Sequence, residues 1–306
     1  MPYFKTTDGS EELQIFYEDL GKNSPIIFIS GWPLTHQMWE YQFTPLRELG
    51  FRCIVYDRRG FGRSEQSLNS YDYDVLAADL KTLIDLIDAD NITLVGFSMG
   101  GGEAIRYCSK YNCEKIGRIV LVSSMVPYML KTDNNPDGVP LEEIQQFDRQ
   151  IRDDRPGFLT TFGKHFYGVN FISRPVSQGI LEWTNSMAFT VSQKAMLACA
   201  ESFSQTDFTN ELESIKIPTL IIHGDNDKTI PVKATSEQAA SLISSSLYKV
   251  YPGAPHGLFY THRDILNRDI VSFVTSDIVD MADVVDEESV ILPSNEPLVT
   301  RDGEGA

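Results

Sequence analysis

The chain of 306 residues holds only four cysteines (Cys53, Cys108, Cys113, Cys199), with no C-x-x-C pair and no other metal-ligand spacing. Zinc ribbons and thioredoxin-type redox motifs are thereby excluded. Cys53, Cys108 and Cys199 sit among apolar neighbours, as buried free thiols do, so reduced cysteines in a cytoplasmic protein are expected. Positive charge is also scarce. Lys and Arg number 26 against 43 Asp and Glu, a net charge of −17. Nucleic acid and anionic membrane surfaces both require basic patches, so neither is an expected partner. No apolar run approaches transmembrane length, and residues 1–9 lack the apolar core of a secretory signal. These shortages point to a soluble, cytoplasmic protein.

What is present is ordinary for a globular chain: 42% hydrophobic and 11% aromatic residues. The length suits one large domain or two small ones. Short apolar runs at 25–30, 51–56, 92–95, 119–122 and 218–222 alternate with helix-length segments. In one of these, residues 73–89, Val75, Leu76, Leu80, Leu83, Ile84 and Ile87 follow a helical period. Strands that are apolar throughout, alternating with helices, imply a parallel sheet covered on both faces. The rhythm breaks at 127–210, where a turn-rich loop leads into aromatic-rich helical sequence. The expected organisation is a core of 1–126 and 211–275, a helical cap of 127–210 and an acidic tail of 276–306. Residues 277–306 alone carry −8, a composition that suits a mobile appendage, although its apolar pieces Val284-Val285 and Val290-Ile-Leu292 leave docking on the body or a neighbouring subunit open.

The β-favouring run with Ile92, Leu94 and Val95 leads into Gly96-Phe97-Ser98-Met99-Gly100 and then into a helical pattern. By chance a G-x-S-x-G pentad occurs in about one chain in ten of this length, so its weight comes from its setting. Between a strand and a helix it is a nucleophile elbow, with Ser98 at the tip of a turn too tight for side chains at Gly96 and Gly100. The helix N-terminus beneath it offers free N–H groups and a positive dipole end to an oxyanion.

A serine hydroxyl needs a base, and the base needs an acid to orient it. On such a sheet they follow the serine in the order acid, histidine, at the carboxyl ends of strands. His223-Gly224-Asp225-Asn226-Asp227 follows one strand and Pro255-His256-Gly257 the next. Of the five histidines, His256 fits the order and the location best. His223 abuts its strand and is expected to bond backbone, while His36, His165 and His262 lie in an early loop, the cap and a helix start. Asp227 is preferred as the acid, because Asp225 directly after Gly224 suits a turn-shaping role. The oxyanion donors are expected to be the N–H groups of Met99 and, from the loop 30–34, Trp32, since Pro33 has no N–H.

These motifs resemble the α/β-hydrolase family, and within it the cofactor-free haloperoxidase and arylesterase branch. The likeness covers about residues 10–275. It rests on Gly31-Trp-Pro-Leu34, Tyr56-Asp-Arg-Arg-Gly-Phe-Gly-Arg-Ser64, Gly96-Phe-Ser-Met-Gly-Gly-Gly-Glu103 and Arg106-Tyr107. It continues through residues 126–133 and 136–140, His223-Gly-Asp-Asn-Asp227 and Pro255-His256-Gly257. The resemblance implies an α/β fold with a mostly parallel, doubly wound sheet and a helical cap insertion. It implies hydrolysis of small carboxylic esters without metal or haem, with peracid formation and secondary halide oxidation as a side activity. It places the triad on Ser98, Asp227 and His256, and an acyl pocket on Met125, Phe147 and Phe162. The partner so implied is a small ester or carboxylic acid, and a homo-oligomer is left open. Two departures stand out: Ser30 replaces the usual family histidine, which should alter loop hydrogen bonding, and the acidic tail has no family counterpart. A hydroxynitrile lyase or C–C hydrolase on the same scaffold, and a non-catalytic small-molecule receptor, remain the rival readings.

Overall fold

In the computed structural model, strand β5 (Ile92–Phe97) is buried along its whole length, and the sheet is arranged around it. The structure describes residues 2–276, so the tail from residue 277 onward lies outside the described residues. Eight strands stand in the order β1-β2-β4-β3-β5-β6-β7-β8. Their ranges are β1 Tyr3–Asp8, β2 Glu11–Leu20, β3 Pro25–Ile29, β4 Arg52–Tyr56, β6 Ile116–Val122, β7 Thr219–Gly224 and β8 Ser246–Tyr251. The β1–β2 and β2–β4 pairs are antiparallel, and every other pair is parallel. Ile29 on β3 pairs with Gly96, and Gly96 in turn with Leu121 on β6, so the central strands end together.

Successive side chains of a strand point to opposite faces, and the two cores follow that alternation. Ile27, Leu94, Ile119, Leu121 and Ile221 pack on one face with α2 (Tyr73–Ile87) and α3 (Met99–Tyr111). Phe28, Val95, Val120 and Ile222 pack on the other with α1 (Glu40–Glu48) and the closing helix (Arg263–Thr275). Helix α2 starts where Asp72 accepts a hydrogen bond from the Val75 N–H, and its buried residues repeat at helical spacing.

Between β6 and β7 the chain leaves the sheet and forms α4 (Leu141–Phe166), α5 (Gln178–Thr190), α6 (Gln193–Gln205) and α7 (Thr209–Ser214). The last of these crosses the expected boundary at 210 and packs on α3 rather than on the other inserted helices. Helix α4 is broken at Asp154, whose φ of −147° and ψ of 77° are not helical. Pro156 cannot continue the hydrogen-bond ladder there, and Asp154 caps the new segment by accepting from the Gly157 N–H at 3.0 Å. The resulting bend folds both halves of α4 over the same point of the core. After β7, a single 3-10 turn (Val232–Ala234) precedes α8 (Ser236–Leu242). Two further helices, α9 (Leu258–Thr261) and α10 (Arg263–Thr275), follow β8. Among the described residues no helix is long and apolar enough to cross a membrane.

The join between β5 and α3 leaves no room for a side chain at Gly96. A Cβ there would lie 2.6 Å from the Gly100 carbonyl oxygen and 2.7 Å from the Gly101 Cα. We expect Gly96→Ala to lower the unfolding free energy by about 1–3 kcal/mol, the usual cost of overpacking, as read from urea denaturation. An unchanged midpoint would contradict this packing.

Candidate active site

Ser98 is the single residue between β5 and α3. Its φ of 54° and ψ of −119° are strained for a residue with a Cβ. The turn that imposes this conformation also lifts the side chain off the sheet and aims it at the loops beyond the strand ends. Gly31 lies opposite, where a Cβ would come within 3.0 Å of the Ser98 Cβ and closer still to the Phe97 ring. On the other side, a Cβ at Gly100 would strike the Ile29 carbonyl. Three glycines therefore let the turn, the β3 loop and the first turn of α3 close around one hydroxyl.

Two further loops converge on that hydroxyl. His256, in the loop after β8, has Nε2 3.0 Å from Ser98 Oγ and Nδ1 2.6 Å from Asp227 Oδ2. A carboxylate only accepts, so Nδ1 carries the proton and Nε2 is free to accept from Ser98. Asp227, in the loop after β7, has a wholly buried side chain. Its Oδ1 accepts from the Thr229 and Ile230 N–H groups, each at 2.8 Å. The two loops are joined by backbone bonds from Asp225 to Tyr251 and from Asn226 to Ala254, and by Asp225 Oδ1, which accepts from the Gly253 N–H at 2.6 Å. Asp225, expected to shape its own turn, thus ties the acid loop to the histidine loop.

His223 reaches a backbone carbonyl, as expected, but its shorter contacts are to side chains. Its Nε2 donates to Asp227 Oδ2 at 3.1 Å, with the Ile230 carbonyl at 3.3 Å, and its Nδ1 accepts from Ser236 Oγ at 2.6 Å. The carboxylate is therefore shared by two imidazoles. The four-residue step from His223 to Asp227 spans the strand end and its turn, and only the folded loop turns the carboxylate back. Burial by itself would push the Asp227 carboxyl up. The nearby His256 and the hydrogen bonds from His223 and His256 outweigh burial and hold it well below the ordinary carboxylate range.

Trp32 and Met99 flank the serine from the β3 loop and the start of α3. Among the described residues neither main-chain N–H donates to another protein group. The Trp32 side chain is fully committed: its Nε1 donates to the Met196 carbonyl at 3.0 Å. Its ring packs on Phe147, Phe162 and Phe203 at centroid distances of 5.1, 5.5 and 5.9 Å. Because α4 is bent, Phe147 from its first half and Phe162 from its second reach the same indole. Met125, Phe147 and Phe162 line a cavity of about 1100 Å³ together with Trp32, Ser98 and His256. Apolar side chains from Met125, Met129, Phe147, Phe162 and Phe203 share the lining with polar and charged ones, of which Arg149, Lys194 and Lys228 are exposed. Phe166, at the end of α4, stacks edge-on against the His256 ring at 5.0 Å, so the inserted helices also touch the histidine.

Ser30 is buried and its Oγ makes no hydrogen bond to a described residue; the loop is held instead through its carbonyl, which accepts from Arg58 Nη2 at 2.7 Å. Burial pushes the Cys53 and Cys199 thiols up to about 12, which removes them as competing nucleophiles. Among the described residues no group of three or more His, Cys, Asp or Glu side chains is placed to hold a metal ion.

A family described as the alpha/beta hydrolase fold matches residues 24–263. The non-heme haloperoxidase of Rhodococcus erythropolis is 37% identical over 90% of this chain and 100% of its own length. The bifunctional esterase/perhydrolase DCH of Acinetobacter calcoaceticus is 35% identical over 90% of this chain and 100% of its own. Among solved structures, bromoperoxidase from Bacillus anthracis superposes with a TM-score of 0.86 at 38% identity, covering 90% of this chain and 100% of that one.

Because the Asp227 carboxyl titrates below its ordinary value of 3.8, its ionised form stabilises the fold. That contribution is complete above the unfolded pKa and is lost as pH falls from there through the folded value. Between about pH 5 and pH 3, we expect the unfolding free energy of the wild type to fall more steeply than that of Asp227→Asn. Parallel acid profiles in urea titrations would contradict the assignment.

Proposed function

The chain belongs to the α/β-hydrolase family and to its non-heme haloperoxidase branch, and on that footing we propose that it hydrolyses carboxylic esters through an acyl-enzyme on Ser98. The observation that carries this reading is the unbroken chain Ser98–His256–Asp227, at 3.0 and 2.6 Å, opening into the cavity that Met125, Phe147 and Phe162 help to line. Ser98 Oγ attacks the ester carbonyl carbon while its proton passes to His256 Nε2. Asp227 holds His256 in the tautomer that can accept that proton and stabilises the imidazolium once it forms. The N–H groups of Trp32 and Met99 receive the oxyanion, and the positive end of α3 adds to their field. Collapse of the tetrahedral intermediate expels the alcohol, which takes its proton from His256.

Water, deprotonated by the same His256, then releases the acid and restores Ser98. Hydrogen peroxide in place of water would release a peracid by the same step, and a peracid oxidises halide in solution. The haloperoxidase and esterase/perhydrolase relatives favour this second outcome as a side activity. The walls supplied by Met125, Phe147 and Phe162 favour an apolar acyl or aryl group, and about 1100 Å³ is more than an acetyl group fills. A cytoplasmic location remains our inference from the free, mostly buried cysteines.

Ser98→Ala should retain the wild-type melting temperature within a few degrees and lose at least about 10³-fold in kcat toward p-nitrophenyl acetate. The wild type should be titrated to inactivity by one equivalent of a serine-directed phosphonate and should be indifferent to EDTA. Full activity in Ser98→Ala would remove the proposal. A folded wild type inert toward several short esters would shift it toward C–C bond cleavage, cyanohydrin cleavage or ligand reception.

A further inference from the structure

Behind the serine lies a buried charged cluster to which the reaction assigns no chemistry. Arg58, in the loop after β4, is 3% exposed, and Glu103, one turn into α3, is completely buried. The Arg58 guanidinium is paired with Glu103 Oε1 through both Nε and Nη2. The other carboxylate oxygen, Oε2, accepts from the Tyr56 hydroxyl at 2.5 Å. Arg58 Nη2 also donates to the Ser30 carbonyl at 2.7 Å. Burial pushes the Glu103 carboxyl above its ordinary value, against the pull of Arg58 and Tyr56. The charged pair is therefore costly to keep here.

Stability is a poor explanation for such a pair. Buried ion pairs replaced by well-packed apolar side chains often leave a protein equally stable or more so, although removing one partner alone is damaging. The pair does have a distinctive placement. At one end it grips the carbonyl of Ser30, two residues before Trp32. At the other end it is anchored on α3 at Glu103, one helical turn beyond Met99. The planar guanidinium is a rigid link between them, and its fork geometry fixes angle as well as distance. A second hydroxyl holds the helix side, since Tyr73 donates to the Met99 carbonyl at 3.3 Å.

We propose that Arg58 and Glu103 are positioning residues that set the separation and aim of the Trp32 and Met99 N–H groups, matching them to the tetrahedral oxyanion. The inference rests on the reading that these two N–H groups form the oxyanion hole. The strut acts on two backbone segments that leave the paired ends of β3 and β5, beyond the last paired residues Ile29 and Gly96. Without it the loop 30–34 can shift relative to α3, and displacements near one ångström at a reacting centre cost on the order of 10²-fold. The ester's ground-state binding depends on the cavity and is not touched.

The test is the double substitution R58M/E103M, which removes both charges together, studied alongside R58K. For R58M/E103M we expect a wild-type circular dichroism spectrum, KM within about twofold, and kcat lower by about 10–100-fold. Affinity for phenylboronic acid, which forms a tetrahedral adduct on the serine, should fall by the same factor as kcat. R58K keeps the charge balance but not the fork, and should show the same kcat loss without rescue. If the double variant does not fold, Glu103→Gln, which keeps the length of the side chain, carries the same readouts with a smaller kcat loss. Folded variants whose kcat and boronate affinity stay within twofold of wild type would overturn the proposal. A wild type that the phosphonate does not label on Ser98 would overturn the esterase reading itself, and the strut's purpose with it.

Discussion

Everything at this site depends on the close approach of β3, β5 and α3 around one strained residue. Ser98 is held at φ 54° because the strand must reverse into the helix within a single residue. That reversal is feasible only where Gly96, Gly100 and Gly31 let main chain touch main chain. The strain is supported from both sides by fully buried strands, and such support is what a high-energy backbone conformation needs to persist. Once the serine is fixed, the parallel register brings the ends of β3, β6, β7 and β8 to the same edge. Each loop that leaves that edge can then contribute a different group.

The electrostatic organisation follows from burial. Burial alone raises the carboxyl of Asp227, and two imidazoles and two backbone N–H groups stabilise its ionised form instead. The same logic governs the Arg58–Glu103 pair on the far side of the turn, where each charge is tolerated because the other is present. The inserted helices complete the enclosure. They cover Trp32 with aromatic rings, bring Phe166 against His256, and leave a cavity that Met125, Phe147 and Phe162 help to line.

Much of this was legible in the residues. The strands that are apolar throughout announced a parallel sheet, the elbow pentad singled out Ser98, and chain order pointed to the loops bearing Asp227 and His256. The structure brings these residues together with Trp32 and Met99, and sets Met125, Phe147 and Phe162 around them. What escaped sequence reasoning depends on contacts between segments far apart in the chain. His223 looked like a strand-end residue, because nothing in its neighbours shows that the loop turns Asp227 back onto it. Arg58 and Glu103 are separated by 45 residues, so their pairing is visible only in the fold. The bend in α4 had a local signal in Asp154-Arg155-Pro156-Gly157, but its consequence, two phenylalanines on one indole, is tertiary. The reach of α7 past residue 210 reflects its packing on α3, which composition does not report.

The central claim is that the serine hydroxyl itself carries the acyl group during turnover. Acid-quenching the wild type in the steady state with p-nitrophenyl acetate, followed by peptide mapping in a mass spectrometer, tests it directly. The account predicts one acetyl group on the peptide containing Ser98, lost again as substrate is exhausted. Sustained turnover with that peptide unmodified, or with the acetyl group on another residue, would contradict it.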